Sequence, residues 1–258
     1  MIHYFTFLTD RSRLACLEET CGMFGIKLNV IFSPVWKGYT DKIFMMQTAI
    51  QHLKDDDIVL FTDAYDVLVN SNEETIVERF TEYKTDLVIS SELNCYPERF
   101  KDTFDSFENK NNYKYINSGG YIGYKHAIMK LFTWKAPEEI VRLSDDGGDQ
   151  AYFMEYYLAN RDSSVRIDNE CKIFQCLHSL SFSEIEFRSS QLHTIGLTIA
   201  PCFIHFNGGT WLDDNRKNLM PTFVQRIKLS RYKRVGLDDI KQRNFHKEGY
   251  IVSQLNNK

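Results

Sequence analysis

The 258-residue chain lacks any long hydrophobic run: no apolar stretch approaches the roughly 18 to 20 residues that a membrane-spanning helix needs. Its first ten residues have no basic segment and no small-residue cleavage site. They alternate like a first strand and do not read as a signal peptide. Both features set the expectation of a cytoplasmic protein with no membrane partner. The six cysteines, Cys16, Cys21, Cys95, Cys171, Cys176 and Cys202, form no CxxC pair and no zinc framework. Reduced, mostly buried thiols are expected in place of a disulfide scaffold. There is no excess of positive charge either: 31 basic against 35 acidic residues give a formal net charge of -4. A general nucleic-acid binder would be basic, so no nucleic-acid partner is expected. Internal repeats and low-complexity tracts are absent as well.

The composition that remains is that of an ordinary globular protein, 43% hydrophobic and 26% charged, with one large domain or two small ones. Aromatic residues make up 14% of the chain, which suits an aromatic-rich core or a protein that stacks on rings or sugars. Charge is unevenly spread. From Asp213 onward there are 11 basic and 5 acidic residues, a local excess of +6 in an otherwise acidic chain.

Hydrophobic spacing predicts strands at Ile2 to Leu8, Leu28 to Phe32, Asp57 to Thr62 and Leu87 to Ser90. Helical spacing separates them: Leu14, Leu17, Cys21 and Phe24 behind a cap at Ser12, then Lys42 to Leu53, then Ile76, Val77 and Phe80 behind a Ser71/Glu74 capping box. This alternation over the first ninety residues argues a doubly wound α/β fold. Asn94 to Asn112 reads as a long loop with short helical pieces. Beyond it come short strands at Tyr115-Ile116 and Tyr121 to Tyr124, and helices near Ala127 to Trp134 and Asp149 to Leu158. Short strands follow near Val165 to Ile167, Lys172 to Phe174 and Thr198 to Phe206. A helix is expected from Pro221.

Four segments carry chemistry. Phe61-Thr62-Asp63-Ala64-Tyr65-Asp66 delivers two carboxylates at the end of a buried strand, where ligands bind in open α/β sheets. A turn beginning at Asp63 would bring both to one point, and hard oxygen ligands there suit Mg²⁺ or Mn²⁺. The plainer reading makes Asp63 a cap or turn residue. A phosphatase of the haloacid-dehalogenase type would want its second carboxylate two residues on, and on the first strand. Asn117-Ser118-Gly119-Gly120 lets a backbone approach a ligand closely, or simply turns a hairpin. Asp145-Asp146-Gly147-Gly148-Asp149-Gln150 resembles an acidic helix N-terminus, with Asp149 and Gln150 available to a substrate hydroxyl. Phe203 to Gly209 ends an apolar strand on His205, which is either structural or a ligand to a metal held by Asp63 and Asp66.

In their order and spacing these segments resemble the N-terminal glycosyltransferase domain of the procollagen lysyl hydroxylase/glucosyltransferase family. The matching stretches are 61-67, 90-97, 115-123, 149-153, 172-175 and 204-208, within a resemblance that runs to about residue 222. It implies a GT-A fold over residues 1-222, a mixed, mostly parallel sheet flanked by helices. Residues 223-258 would be a basic extension that packs on this domain or mediates a homodimer. It further implies a UDP-sugar donor and Mn²⁺, with Mg²⁺ as a substitute, on Asp63, Asp66 and His205. Lys42 and Asn207 match positions near the UDP phosphates, and Thr9 lies near the uridine. Tyr96, Asn117, Ser118, Gly119 and Gly208 complete the donor set, with Asp149 and Gln150 on the catalytic side. Two departures touch the sugar and acceptor side: Tyr96 stands where the family has tryptophan, and Gly147-Gly148 interrupt its acidic run. The resemblance implies glucose transfer from UDP-glucose to galactosyl-hydroxylysine of a collagen-like protein, with retention. An inverting transfer from UDP-galactose to hydroxylysine, or a weakly catalytic glycan- or collagen-binding module, are the alternatives.

Overall fold

The computed structural model describes residues 1–108, 111–161, 164–188, 191–208 and 219–234. In chain order the strands are β1 (Ile2–Leu8), β2 (Leu28–Phe32), β3 (Ile58–Thr62), β4 (Val67–Val69), β5 (Leu87–Glu92), β6 (Tyr115–Tyr124), β7 (Val165–Ile167), β8 (Phe174–Cys176), β9 (Ile185–Arg188), β10 (Gln191–Thr194) and β11 (Phe203–His205). The helices are α1 (Ala15–Phe24), α2 (Thr40–Ile50), α3 (Glu73–Glu82), α4 (Lys101–Asp105), α5 (Lys125–Phe132), α6 (Pro137–Ser144), α7 (Gly148–Asn160) and α8 (Leu219–Arg234). Among the described residues no helix is long and apolar enough to cross a membrane.

A six-stranded sheet in the order β2-β1-β3-β6-β5-β7 forms the centre. β1 runs parallel to β2 and β3, β5 runs parallel to β7, and β6 lies antiparallel between β3 and β5. Alternation along each strand divides the core between two faces. Phe5, Phe61, Ile89 and Tyr121 pack with Met46, Ile128 and Phe153 from α2, α5 and α7. Tyr4, Leu60, Val88 and Ile122 pack with Leu17, Cys21, Ile76 and Phe80 from α1 and α3. Each fully buried side chain of this size contributes about 1.5–3 kcal/mol. Helices on both faces explain why Val59-Leu60-Phe61 is an unbroken apolar run.

A second sheet, β4-β11-β8, sits at the carboxyl end of β3. Its outer surface meets a third cluster in which Leu68, Ile204 and Phe206 pack with Phe223 and Val224 of α8. α8 crosses the expected boundary at residues 222 and 223, and Lys228 Nζ reaches Glu19 Oε1 on α1 at 2.9 Å. Most of the basic extension, from residue 235, lies outside the described residues.

Several local expectations are corrected. Ser12 does not cap α1: Asp10 caps a short 3₁₀ turn at Arg11–Arg13 by accepting from the Ser12 N–H, and α1 starts after it. The cap of α3 is Asn72, whose side chain accepts from Thr75 N at 3.1 Å, while Ser71 is buried and bonded to Gln191. Residues 115–124 form one continuous strand, because β3 and β5 flank it and bury every residue but the last. β8 starts at Phe174, two residues later than expected; the N–H groups of Lys172 and Ile173 before it donate to the buried Asp168 carboxylate at 2.8 Å each. α6, which starts on Pro137 at its first helical position, and the β9–β10 hairpin were not expected. Residues 188–191 read Arg-Ser-Ser-Gln and carry no Asn-Gly or Gly-X hairpin cue. We expect Asn72→Ala to lower stability by about 1 kcal/mol, or about 2–4 °C in Tm, through loss of the α3 cap. Urea and thermal melts would check this, and an unchanged melt would show the cap to be dispensable.

Candidate active site

The main-chain bend after β3 brings the two carboxylates together. Asp63 N donates to Gly119 O on β6 at 2.9 Å, which fixes the start of the bend, and Phe206 N donates to Asp66 O at 2.7 Å, which fixes its end. β11 pairs antiparallel with β4, His205 opposite Val67, so His205 enters from the second sheet. His205 Nε2 lies 3.3 Å from Asp66 Oδ1 and 3.9 Å from Asp63 Oδ2. Among the described residues this trio has one ligand atom from each side chain within 4.8 Å of the others, a set of oxygen and imidazole donors that fits a divalent cation. Gly119 lies directly beneath. A Cβ there would stand 2.3 Å from His205 Cε1 and 2.8 Å from Asp63 Oδ2. The Asn-Ser-Gly-Gly segment is therefore a close-approach strand and not a hairpin turn.

Lys42 on α2 joins this cluster to the far wall. Its Nζ is 3.0 Å from Asp63 Oδ1 and 2.8 Å from Asp149 Oδ2. Asp149 is only 4% exposed, in the first turn of α7. The glycines that interrupt the acidic run have a backbone reason. Gly147 and Gly148 have φ of 105° and 66°, in the left-handed region that disfavours side chains. A Cβ on either would also strike Pro97 or the Tyr39 ring. Burial raises the Asp149 carboxyl above its usual range, against the pull of Lys42. For Asp63 burial also opposes charge, but Lys42 and His205 outweigh it and hold the group low. Burial disfavours a charged His205, yet Asp66 overcomes it and lifts the imidazole well above its usual value. Lys42 is likewise raised, its two acids outweighing desolvation.

These groups line one cavity of about 720 Å³, within the range of small-molecule sites. Every residue expected at the site lines it except Thr9. Thr9 connects indirectly: its N–H donates to the Tyr65 hydroxyl at 2.7 Å, and Tyr65 lies inside the bend between the two aspartates. Tyr96 and Tyr39 stand at the cavity with 60% and 59% exposure. Gln150 braces the wall. Its Nε2 donates to Tyr96 O at 2.7 Å and to Glu92 Oε1 at 3.0 Å, and its Oε1 accepts from Ser118 N at 3.3 Å.

Two residues were missed by sequence reasoning. Glu92, buried at the end of β5, accepts from Asn117 Nδ2 and Gln150 Nε2 on one oxygen and from Asn207 Nδ2 on the other, each at 3.0 Å. One carboxylate thus orients three amides from β6, α7 and the loop after β11. The signal available was an acid at a strand's carboxyl end, the same logic that singled out Asp63. His178 is the second. Its backbone N–H donates to Asn207 Oδ1 at 3.1 Å, and the Glu92 carboxylate, 3.8 Å from its Nδ1, raises its imidazole.

A mixed central sheet flanked by helices, with an Asp-Asp-His cluster at the carboxyl end of β3, is the architecture of the GT-A fold. The fold is shared with a glycosyltransferase involved in glycosylation of the major capsid of PBCV-1 (TM-score 0.53, 15% identity, covering 86% of this chain and 98% of that one). It is shared also with the galactosyltransferase LgtC (TM-score 0.57, 12% identity, 88% and 95% covered). The family model described as PLOD GT domain matches residues 26–224, and the chain belongs to that family. Procollagen-lysine,2-oxoglutarate 5-dioxygenase 1 of Gallus gallus is 29% identical over 216 residues, 77% of this chain and 28% of the relative. The Drosophila melanogaster procollagen-lysine,2-oxoglutarate 5-dioxygenase is 27% identical over 185 residues, 67% and 24%. Uncharacterized protein R699 of Acanthamoeba polyphaga mimivirus is 26% identical over 174 residues, 66% and 36%. The chain spans about a quarter to a third of the length of these relatives.

Proposed function

We propose that the chain transfers glucose from UDP-glucose to galactosyl-hydroxylysine of a collagen-like protein, with Mn²⁺ on Asp63, Asp66 and His205. The observation that carries this reading is the arrangement of that trio and the buried Asp149 on either side of Lys42 in a single cavity. A divalent cation bound at the trio supplies Lewis-acid neutralisation of the diphosphate leaving group. The Lys42 ammonium is a second positive charge for that group, and its two aspartate partners hold it aimed into the cavity. Asn117 and Asn207 are held at both ends, Nδ2 donating to Glu92 and Oδ1 accepting from Gly119 N and His178 N respectively, so each offers its second amide hydrogen to the donor without having to reorganise. Asp149 faces the reacting sugar, where a carboxylate stabilises developing oxocarbenium charge or orients the acceptor hydroxyl. In a retaining reaction the departing phosphate takes the acceptor proton, and no strong base is needed from the chain.

One observation favours a second reading, inverting transfer from UDP-galactose to hydroxylysine: the carboxyl of Asp149 is raised by burial, as suits a general base. UDP release measured with each sugar nucleotide, with and without hydroxylysine and galactosyl-hydroxylysine peptides, separates the two, and mass spectrometry identifies the product. In the same assay Asp149→Asn should keep donor binding and lose transfer by about a hundredfold or more. Undiminished transfer would remove Asp149 from the mechanism.

A further inference from the structure

The imidazole of His205 is boxed on three sides. Its Nε2 faces Asp66, its Cε1 sits over Gly119, and its Nδ1 lies 3.7 Å from the sulfur of Cys176. The last contact is built into the sheet. β11 pairs parallel with β8, and His205 is in register with Cys176, so neighbouring strands present the two side chains on the same face. Leu177 N donates to His205 O at 2.9 Å and locks that register. Both residues are buried, and Ser90 Oγ on β5 lies 3.6 Å from the same sulfur.

A histidine binds a cation through one ring nitrogen only if that nitrogen is free of its proton, and the partner of the other nitrogen decides which one that is. If the Cys176 thiol donated to Nδ1, the ring proton would sit on Nε2 and block the face turned to Asp63 and Asp66. If the sulfur accepts, Nδ1 keeps the proton and the thiol hydrogen turns to Ser90 Oγ. We propose that Cys176 is a positioning residue for His205, its sulfur accepting the Nδ1–H bond so that Nε2 is reserved for the divalent cation. This rests on the metal-dependent reading above and adds to it a thiol behind the imidazole ligand.

The full chain tests this in two ways. Long-range ¹H–¹⁵N correlation spectra of the wild-type protein with MgCl₂, a diamagnetic probe, should show His205 with its proton on Nδ1. A proton on Nε2 in the Mg²⁺-saturated protein overturns the proposal, with no variant required. In titrations of MnCl₂ followed by electron paramagnetic resonance, with and without UDP, Cys176→Ala should weaken Mn²⁺ binding about tenfold. Cys176→Ser, which keeps an acceptor for Nδ1–H, should recover most of that loss. Wild-type affinity in Cys176→Ala overturns the proposal, as does an equal loss in both variants, which would mark a packing role. If the wild-type protein binds no Mn²⁺, the metal reading fails and this inference with it. Normal wild-type binding with an unaffected Cys176→Ala removes only the role of the thiol.

Discussion

Asp66→Ala should lower metal-stimulated UDP release about a thousandfold or more while leaving the protein folded. The magnitude follows from the several kcal/mol that a positioned cation contributes to a charged transition state, at about 1.4 kcal/mol per factor of ten. The variant removes the carboxylate 3.3 Å from His205 Nε2 and leaves only Asp63, 3.9 Å from that nitrogen and already engaged with Lys42. Folding should survive because the structural bond at this position comes from the backbone: Phe206 N donates to Asp66 O, and alanine keeps that acceptor. Circular dichroism and a metal-free melt near wild type would accompany the loss. Full activity in a folded Asp66→Ala would sink the metal assignment. Loss of both activity and fold would show Asp66 to be structural.

What the sequence made legible was local and periodic. Ile2–Leu8 could be read to the residue, because alternation and a following polar turn bound it on both sides. The continuous run of β3 revealed a strand covered on both faces, and with it a site at its carboxyl end. Asp63, Asp66 and His205 could be grouped through a resemblance, but His205 lies 139 positions beyond Asp66, and no spacing rule closes that distance. Only the pairing of β11 with β4 does. The Asn-Ser-Gly-Gly segment left a close backbone approach and a hairpin turn both open, because local chemistry cannot distinguish glycines that turn from glycines that yield space to a neighbour. Glu92 went unassigned for a related reason. Its role consists of three amides drawn from β6, α7 and the loop after β11, and none of those contacts leaves a pattern in the sequence near residue 92.

Gly119→Ala should cause the second large loss, and for a reason opposite to the usual one. In a strand interior, alanine normally stabilises relative to glycine by about 0.5–1 kcal/mol. Gly119 is not in the left-handed region, so no backbone preference demands glycine there. The demand is spatial. The added carbon would lie 2.3 Å from His205 Cε1, 2.8 Å from Asp63 Oδ2 and 2.9 Å from Asn117 Oδ1. None of the three can yield cheaply: the imidazole is held between strands, Asp63 is gripped by Lys42, and Asn117 is bonded to Glu92. Overpacking of this kind costs about 1–3 kcal/mol, which for a chain of this size lowers Tm by several degrees. Displacing two of the three ligand side chains by even an ångström should cut metal-dependent transfer about a hundredfold. Gly22→Ala is the matched control. Gly22 is exposed in α1 with nothing within 4 Å of an added Cβ, so alanine there should leave activity unchanged and raise stability by up to about 1 kcal/mol. Calorimetry and Mn²⁺ titration of both variants decide the matter. A Gly119→Ala protein that binds Mn²⁺ and melts like Gly22→Ala would mean that the ligand trio is not packed against β6.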